Sequence, residues 1–244
     1  MSKLKYFLKG NKYHNSGFTI IELMIATAVF SVVLLMLVLG VTKISQAYIK
    51  GVVYSETQNA AQSIVSDISK NIEFNSGDIG STIGPTPTAG LQFYFCMGER
   101  AYFYQLGNEV VGNGVIPGEQ QAYHGLIAED GDTTCPVPKP DPSFNSPTTL
   151  TSAQQEFLSP NMRLAVLNVI PVAGLSNLYE VDVKVVYGSN DLLCNSSSDP
   201  SSCSSTTTMP FGNDYIGSGV RCKDGVGSQF CAVSSLEVYV KSTQ

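Results

Sequence analysis

The stretch "GFTIIELMIATAVFSVVLLMLVLGV" (residues 17–41) decides the fold. After Gly17 come 24 residues, 18–41, in which Glu22 is the only charge. At ~1.5 Å per residue a helix of that length crosses a ~30 Å hydrocarbon layer. A charge in such a helix costs about 2.5 to 3.5 kcal/mol at the centre and less near an end, so a tolerated one usually has a partner. A secretory signal peptide is the competing reading, because Ser45, Gln46 and Ala47 resemble a small-residue cleavage site. Its apolar region, however, usually spans only ~7 to 15 residues.

Charge is distributed unevenly around this run. Lys3, Lys5, Lys9 and Lys12 make residues 1–17 basic with no acid, whereas residues 42–244 hold ten Lys or Arg against nineteen Asp or Glu. A basic flank before an apolar span and an acidic body after it predict a single-pass membrane protein with a cytoplasmic N-terminus and an exported C-terminal part. The acidic body disfavours nucleic acid as a partner, since phosphate binding needs clustered cations.

Beyond the span no proline intervenes, and Ala61, Ile64, Val65, Ile68 and Ile72 recur at helical spacing with polar residues between them. The helix is therefore expected to leave the membrane and continue as an amphipathic half. Gly51 is expected to loosen it, and "NSGD" (75–78) to stop it. The chain then reads as a basic leader (1–17), a transmembrane part (18–41), an amphipathic part (42–76) and an exported β-rich domain (77–244).

The apolar stripe of the second half needs a partner, and alternating runs supply one. "LQFYFC" (91–96) and "RAYFYQL" (100–106) read as a hairpin around "MGE", and "RLAVLNVI" (163–170) as another strand. Tyr179, Val181, Val183, Val185 and Tyr187 alternate with Glu180, Asp182 and Lys184, and Leu236, Val238 and Val240 repeat the pattern. The expected fold class is α+β: a long N-terminal helix on an antiparallel sheet that is apolar on one face and wet on the other. Two irregular stretches, 131–149 and 188–234, are expected as ordered loops carrying disulfides.

All six cysteines, Cys96, Cys135, Cys194, Cys203, Cys222 and Cys231, follow the span. An even count in an exported domain reads as a disulfide set. Zinc is disfavoured, because eight residues separate Cys194 from Cys203 and Cys222 from Cys231. Six cysteines allow ~15 connectivities. Locality favours Cys194 with Cys203 and Cys222 with Cys231, leaving Cys96 for Cys135.

Candidate chemistry is sparse. His124 is the only histidine after residue 17, which leaves no His pair for a metal or a triad, and no phosphate- or dinucleotide-binding glycine motif is present. His124 reads as an ordinary surface or loop residue, "EDGD" (129–132) as a solvated acidic turn, and the aromatic runs at 93–95 and 102–104 largely as core. No enzymatic activity, cofactor or metal is expected.

Gly17 lies directly before the span, which suggests a cut that retains the apolar segment. Such a cut would remove the four lysines and create a cationic amine on Phe18, four residues before Glu22 and on the same helical face by i,i+4 spacing. The residues "GFTIIELMIATAVF" (17–30) resemble the processing and assembly motif of type IV pilins and type II secretion pseudopilins. The resemblance implies cleavage after Gly17 by a membrane-embedded prepilin peptidase, N-methylation of Phe18, and Glu22 as the assembly glutamate. It also implies other pilin or pseudopilin subunits, an inner-membrane assembly platform and the lipid bilayer as partners, and a final place in a pilus or pseudopilus at the cell surface or in the periplasm. Leu39 stands where major type IVa pilins usually have proline, and "ATAVF" (26–30) is similar to the pattern of minor subunits. The expected function is a minor structural subunit of a type IV pilus or pilus-like assembly. A secretion pseudopilin, a competence-pilus subunit and a non-polymerising signal-anchored adhesin or binding protein are the alternatives.

Overall fold

The computed structural model describes residues 17–74, 92–112, 121–131, 144, 146, 150–175, 177–195 and 216–243. The chain divides into two compact units, Met1–Ser45 and Gln46–Gln244. One helix, α1 (Ile20–Phe74), supplies the described regular structure of the first and the opening element of the second. It runs through Gly51 without a break. The helix is long and apolar enough to cross a membrane, and no residue of its most apolar window is buried.

In the second unit the helix shows the other face of its sequence. Val53, Thr57, Ala61, Ile64, Val65, Ile68 and Ile72 form its buried stripe, steps of three and four residues that keep one face toward the core. Burying an isoleucine fully is worth about 1.5 to 3 kcal/mol, so Ile64, Ile68 and Ile72 anchor this half. Thr57 is the polar member, and its Oγ1 donates to the Val53 carbonyl at 2.7 Å, which satisfies the buried hydroxyl.

The helix packs on strands that form two main sheets, not one. The first contains β1 (Gln92–Met97), β2 (Arg100–Gln105), β5 (Leu126–Asp130) and β6 (Gln154–Glu156), antiparallel in the order β1-β2-β5-β6. The second contains β7 (Met162–Pro171), β8 (Leu178–Tyr187) and β11 (Ala232–Lys241), antiparallel in the order β11-β8-β7. A parallel bridge between Leu106 and Leu164 links them, with the Gly107 amide donating to the Leu164 carbonyl at 2.8 Å. Among the described residues there are also two short pairs: β3 (Glu109–Val110) with β4 (Gln121–Ala122), which is parallel, and β9 (Leu193–Asn195) with β10 (Val220–Cys222).

The β1–β2 hairpin forms where the sequence places it. Gly98, at φ 59, takes the left-handed conformation that opens the two-residue turn. Alternation then sorts the aromatics onto two faces. Phe93 stacks on Tyr104 and Phe95 on Tyr102, with ring centroids 5.3 and 4.7 Å apart, in the core beside the helix stripe. Tyr94 and Phe103 pair on the opposite face, where Ala101, Ile127 and Phe144 form a separate cluster. Phe144 belongs to the stretch expected as loop, and its side chain is buried there.

The expectation of a wet outer face holds for only half of β8. Val181, Val183 and Val185 are fully buried on the core side, and Glu180 and Asp182 opposite them are half-buried. Lys184 and Val186, on that same outer side, are buried. Strands β9 and β10 provide the reason. Leu193 and Val220 join Ala165, Val186 and Cys231 in a second cluster, and Lys184 Nζ donates to the Ser218 carbonyl. The described parts of 188–234, expected as loop, thus contain strands that share a small second core with β7 and β8.

Candidate processing and assembly site

Gly17, Phe18 and Thr19 precede the helix, and all three are exposed. Thr19 occupies the N-cap position and Glu22 the third helical position. Their side chains bond reciprocally. The Glu22 amide donates to Thr19 Oγ1 at 3.3 Å, and Glu22 Oε2 accepts from both the Thr19 amide and the Thr19 hydroxyl at 2.9 Å. This is a capping box, in which two otherwise unpaired donors at the helix start are satisfied in the residues' own chain.

The box corrects one expectation. Phe18 and Glu22 do not share a helical face by i,i+4 spacing, because the helix begins at Ile20 and Phe18 lies outside it. Sequence reasoning that treats Glu22 only as a membrane charge misses Thr19. The signal was present as Thr-x-x-Glu directly before an apolar run.

Along the helix every residue from Ile20 to Tyr48 is exposed, Ile20 being 81% accessible, and Phe18 just before it is 85% accessible. Thr27 and Ser31 turn their hydroxyls back onto the carbonyls of Met24 and Thr27, so these polar groups need no water. A surface this apolar requires lipid or protein around it.

A model of the prokaryotic N-terminal methylation motif matches residues 12–38. The chain carries that motif. Together with the long apolar helix, the methylation motif is consistent with a type IV pilin-like protein. No curated protein and no solved structure matches the chain. Proteins with the methylation motif are structural rather than catalytic; the motif implies processing by a prepilin peptidase and assembly with other pilins, and it fits a membrane-anchored, exported protein.

The remaining expected positions lie in the second unit. Cys222 and Cys231 form a disulfide with a Cα–Cα distance of 5.8 Å. Cys96 and Cys194 are also disulfide-bonded, but Cys135 and Cys203, the partners expected for them, lie outside the described residues. The leader lysines also lie outside them.

His124 lies in the loop between β4 and β5, as one half of its reading has it, but not at the surface. It is 8% exposed, with Nδ1 3.2 Å from Glu156 Oε2, and Glu156 also accepts the backbone amides of Gly125, Leu126 and Leu158. One carboxylate thereby ties the start of β5 to the residues after β6, a structural role. "EDGD" is only partly a solvated turn. Glu129 and Asp130 end β5, and Asp130 accepts a hydrogen bond from Arg100, while Asp132 lies outside the described residues. Among the described residues no group of three or more His, Cys, Asp or Glu could hold a metal ion.

Arg163 is a polar residue that sequence periodicity does not single out. It is fully buried in β7, where NH2 pairs with Glu109 Oε2 at 3.0 Å and donates to the Gly188 carbonyl, and NH1 donates to Asn190 Oδ1 at 2.7 Å. Burial pushes the Glu109 carboxyl above its ordinary value, against the opposing pull of Arg163. The cluster joins β3, β7 and the turn after β8, and holds them together without presenting a reactive group.

Proposed function

We propose that the chain is a non-enzymatic structural subunit, of the minor type, in a type IV pilus or pilus-like assembly. A prepilin peptidase cuts between Gly17 and Phe18 and methylates the new amine. The subunit waits in the bilayer through residues 18–41 and then joins a helical bundle with other subunits at an inner-membrane platform. Glu22 neutralises the Phe18 amine of a neighbouring subunit, a pair strengthened where water is excluded. The exported domain then stands outside the membrane in the assembled filament.

The observation that supports this reading best is the methylation motif at the head of a helix whose first 29 residues, Ile20 to Tyr48, are all exposed. Mass measurement of the mature N-terminus tests it. A chain beginning at N-methylated Phe18 is the expected result. A retained Met1, or a start at Tyr48 after signal-peptide cleavage, would exclude it.

A further inference from the structure

We infer that Thr19 is a positioning residue that sets the Glu22 carboxylate for pairing in trans, and that it does so both before and after processing. The inference rests on the filament-subunit reading.

Both bonds that Glu22 accepts from Thr19 converge on Oε2, each at 2.9 Å. Oε1 takes no hydrogen bond among the described residues, so one oxygen is held and the other is open. An ionised carboxylate has about four acceptor sites, and those on Oε1 remain for a donor from outside the chain. On the filament-subunit reading, that donor is the Phe18 ammonium group of a neighbouring subunit.

Every atom of the box belongs to Thr19 or Glu22. Cleavage between Gly17 and Phe18 therefore leaves it whole. The Thr19 amide remains an amide, and the only change is that Phe18 gains an ammonium group. Processing then supplies a donor to an acceptor that is already in place. Without the hydroxyl, the glutamate side chain would have to be ordered at assembly, a cost that weakens a contact by about 2- to 12-fold.

Thr19→Val keeps the shape and removes the hydroxyl, and Thr19→Ser restores it. In cells that assemble the filament, Thr19→Val should be cut and methylated normally but recovered in sheared filaments about 2- to 12-fold less than the parent chain, with Thr19→Ser close to the parent. In phospholipid nanodiscs, the 13C-carboxyl infrared band of Glu22, isolated as the difference from Glu22→Gln, should shift in Thr19→Val and not in Thr19→Ser. The shift should be the same in the uncut and the processed chain.

Parent-level incorporation of Thr19→Val, an unshifted band, a Thr19→Val chain left uncut, or a Thr19→Ser chain as impaired as Thr19→Val would each overturn the inference. Failure of the underlying reading looks different. In that case Glu22→Ala enters filaments normally or Phe18 is never a mature N-terminus, whatever Thr19→Val does.

Discussion

The Tyr102 hydroxyl on β2 donates to Asp67 Oδ2 on the helix at 2.6 Å. Arg100, two residues earlier on the strand, holds the same carboxylate through Nε at 3.0 Å and NH2 at 3.1 Å. Asn71, one helical turn after Asp67, donates to the Tyr102 hydroxyl at 2.8 Å. A helix side and a strand face that meet mainly through apolar contacts are thus given one register by polar ones. Burial pushes the Tyr102 hydroxyl well above its ordinary value, so it stays protonated and remains a donor at any physiological pH.

Asp67→Ala should destabilise the second unit by about 2 to 4 kcal/mol, since it removes three charge-assisted bonds and leaves Arg100 to Asp130 and Gln155. Tyr102→Phe, which loses the hydroxyl alone, should cost about 1 kcal/mol. Thermal and urea melting of the full chain in detergent measures both. Equal losses would mean that the guanidinium contributes nothing.

The Cys222–Cys231 bridge fastens β10 to the start of β11 beside the small cluster of Leu193, Val220 and Val186. Replacing both cysteines by serine should cost about 2 to 3 kcal/mol, the scale expected for so short a loop. Hydrogen exchange should show the loss concentrated in β9 and β10, with the helix stripe still protected. Uniform loss across the domain would show that the small cluster does not unfold on its own.

Asp182 lies directly opposite Glu237 in the β8–β11 register. Burial, and then repulsion by Glu237, raises its carboxyl above the ordinary value of 3.8, with Lys184 pulling the other way. A raised folded value means the folded chain holds the proton longer than the unfolded one. The stability this gives is complete below pH 3.8 and is lost as pH rises through the folded value. Asp182→Asn should therefore be more stable than the parent at pH 7, by a few tenths of a kcal/mol after solvent screening, with the gap closing below pH 3.8. Denaturant titrations at pH 3.5 and pH 7 give the two points needed. A gap that widens toward acid would reverse the argument.

Glu22→Gln separates the cap from the charge. Glutamine can return the same hydrogen bond to the Thr19 amide, so the helix should start at Ile20 as before. Without a carboxylate, incorporation into filaments should fall at least tenfold, while membrane insertion and cleavage persist. Helix content by circular dichroism and recovery in sheared filaments provide the readouts. Normal recovery would reduce Glu22 to a cap.

Much of this was legible because local pattern and burial agree. Ala61, Ile64, Val65, Ile68 and Ile72 repeat at the helical period, and each one is buried. Val181, Val183 and Val185 repeat at the strand period with the same outcome. At Lys184 and Val186 the pattern fails, because burial there depends on β9 and β10, which are close in space and carry no alternation of their own. His124 and Arg163 fail for a related reason. Their partners lie 32 and 54 positions away, at Glu156 and Glu109, and no window of sequence contains both ends.

What the sequence determined by itself is therefore the N-terminal half of the story: an apolar run with one acid, the motif around it, and the stripe that follows. Each is a property of consecutive residues, and a helix presents consecutive residues in a known order. The tertiary structure decided where the sheet divides in two, which face of β8 is covered, which polar groups are buried, and that Phe18 stands outside the helix while Thr19 holds Glu22. These depend on long-range contacts or on side-chain geometry at a helix end, where the same residue can serve as cap, charge or both until its hydrogen bonds are seen.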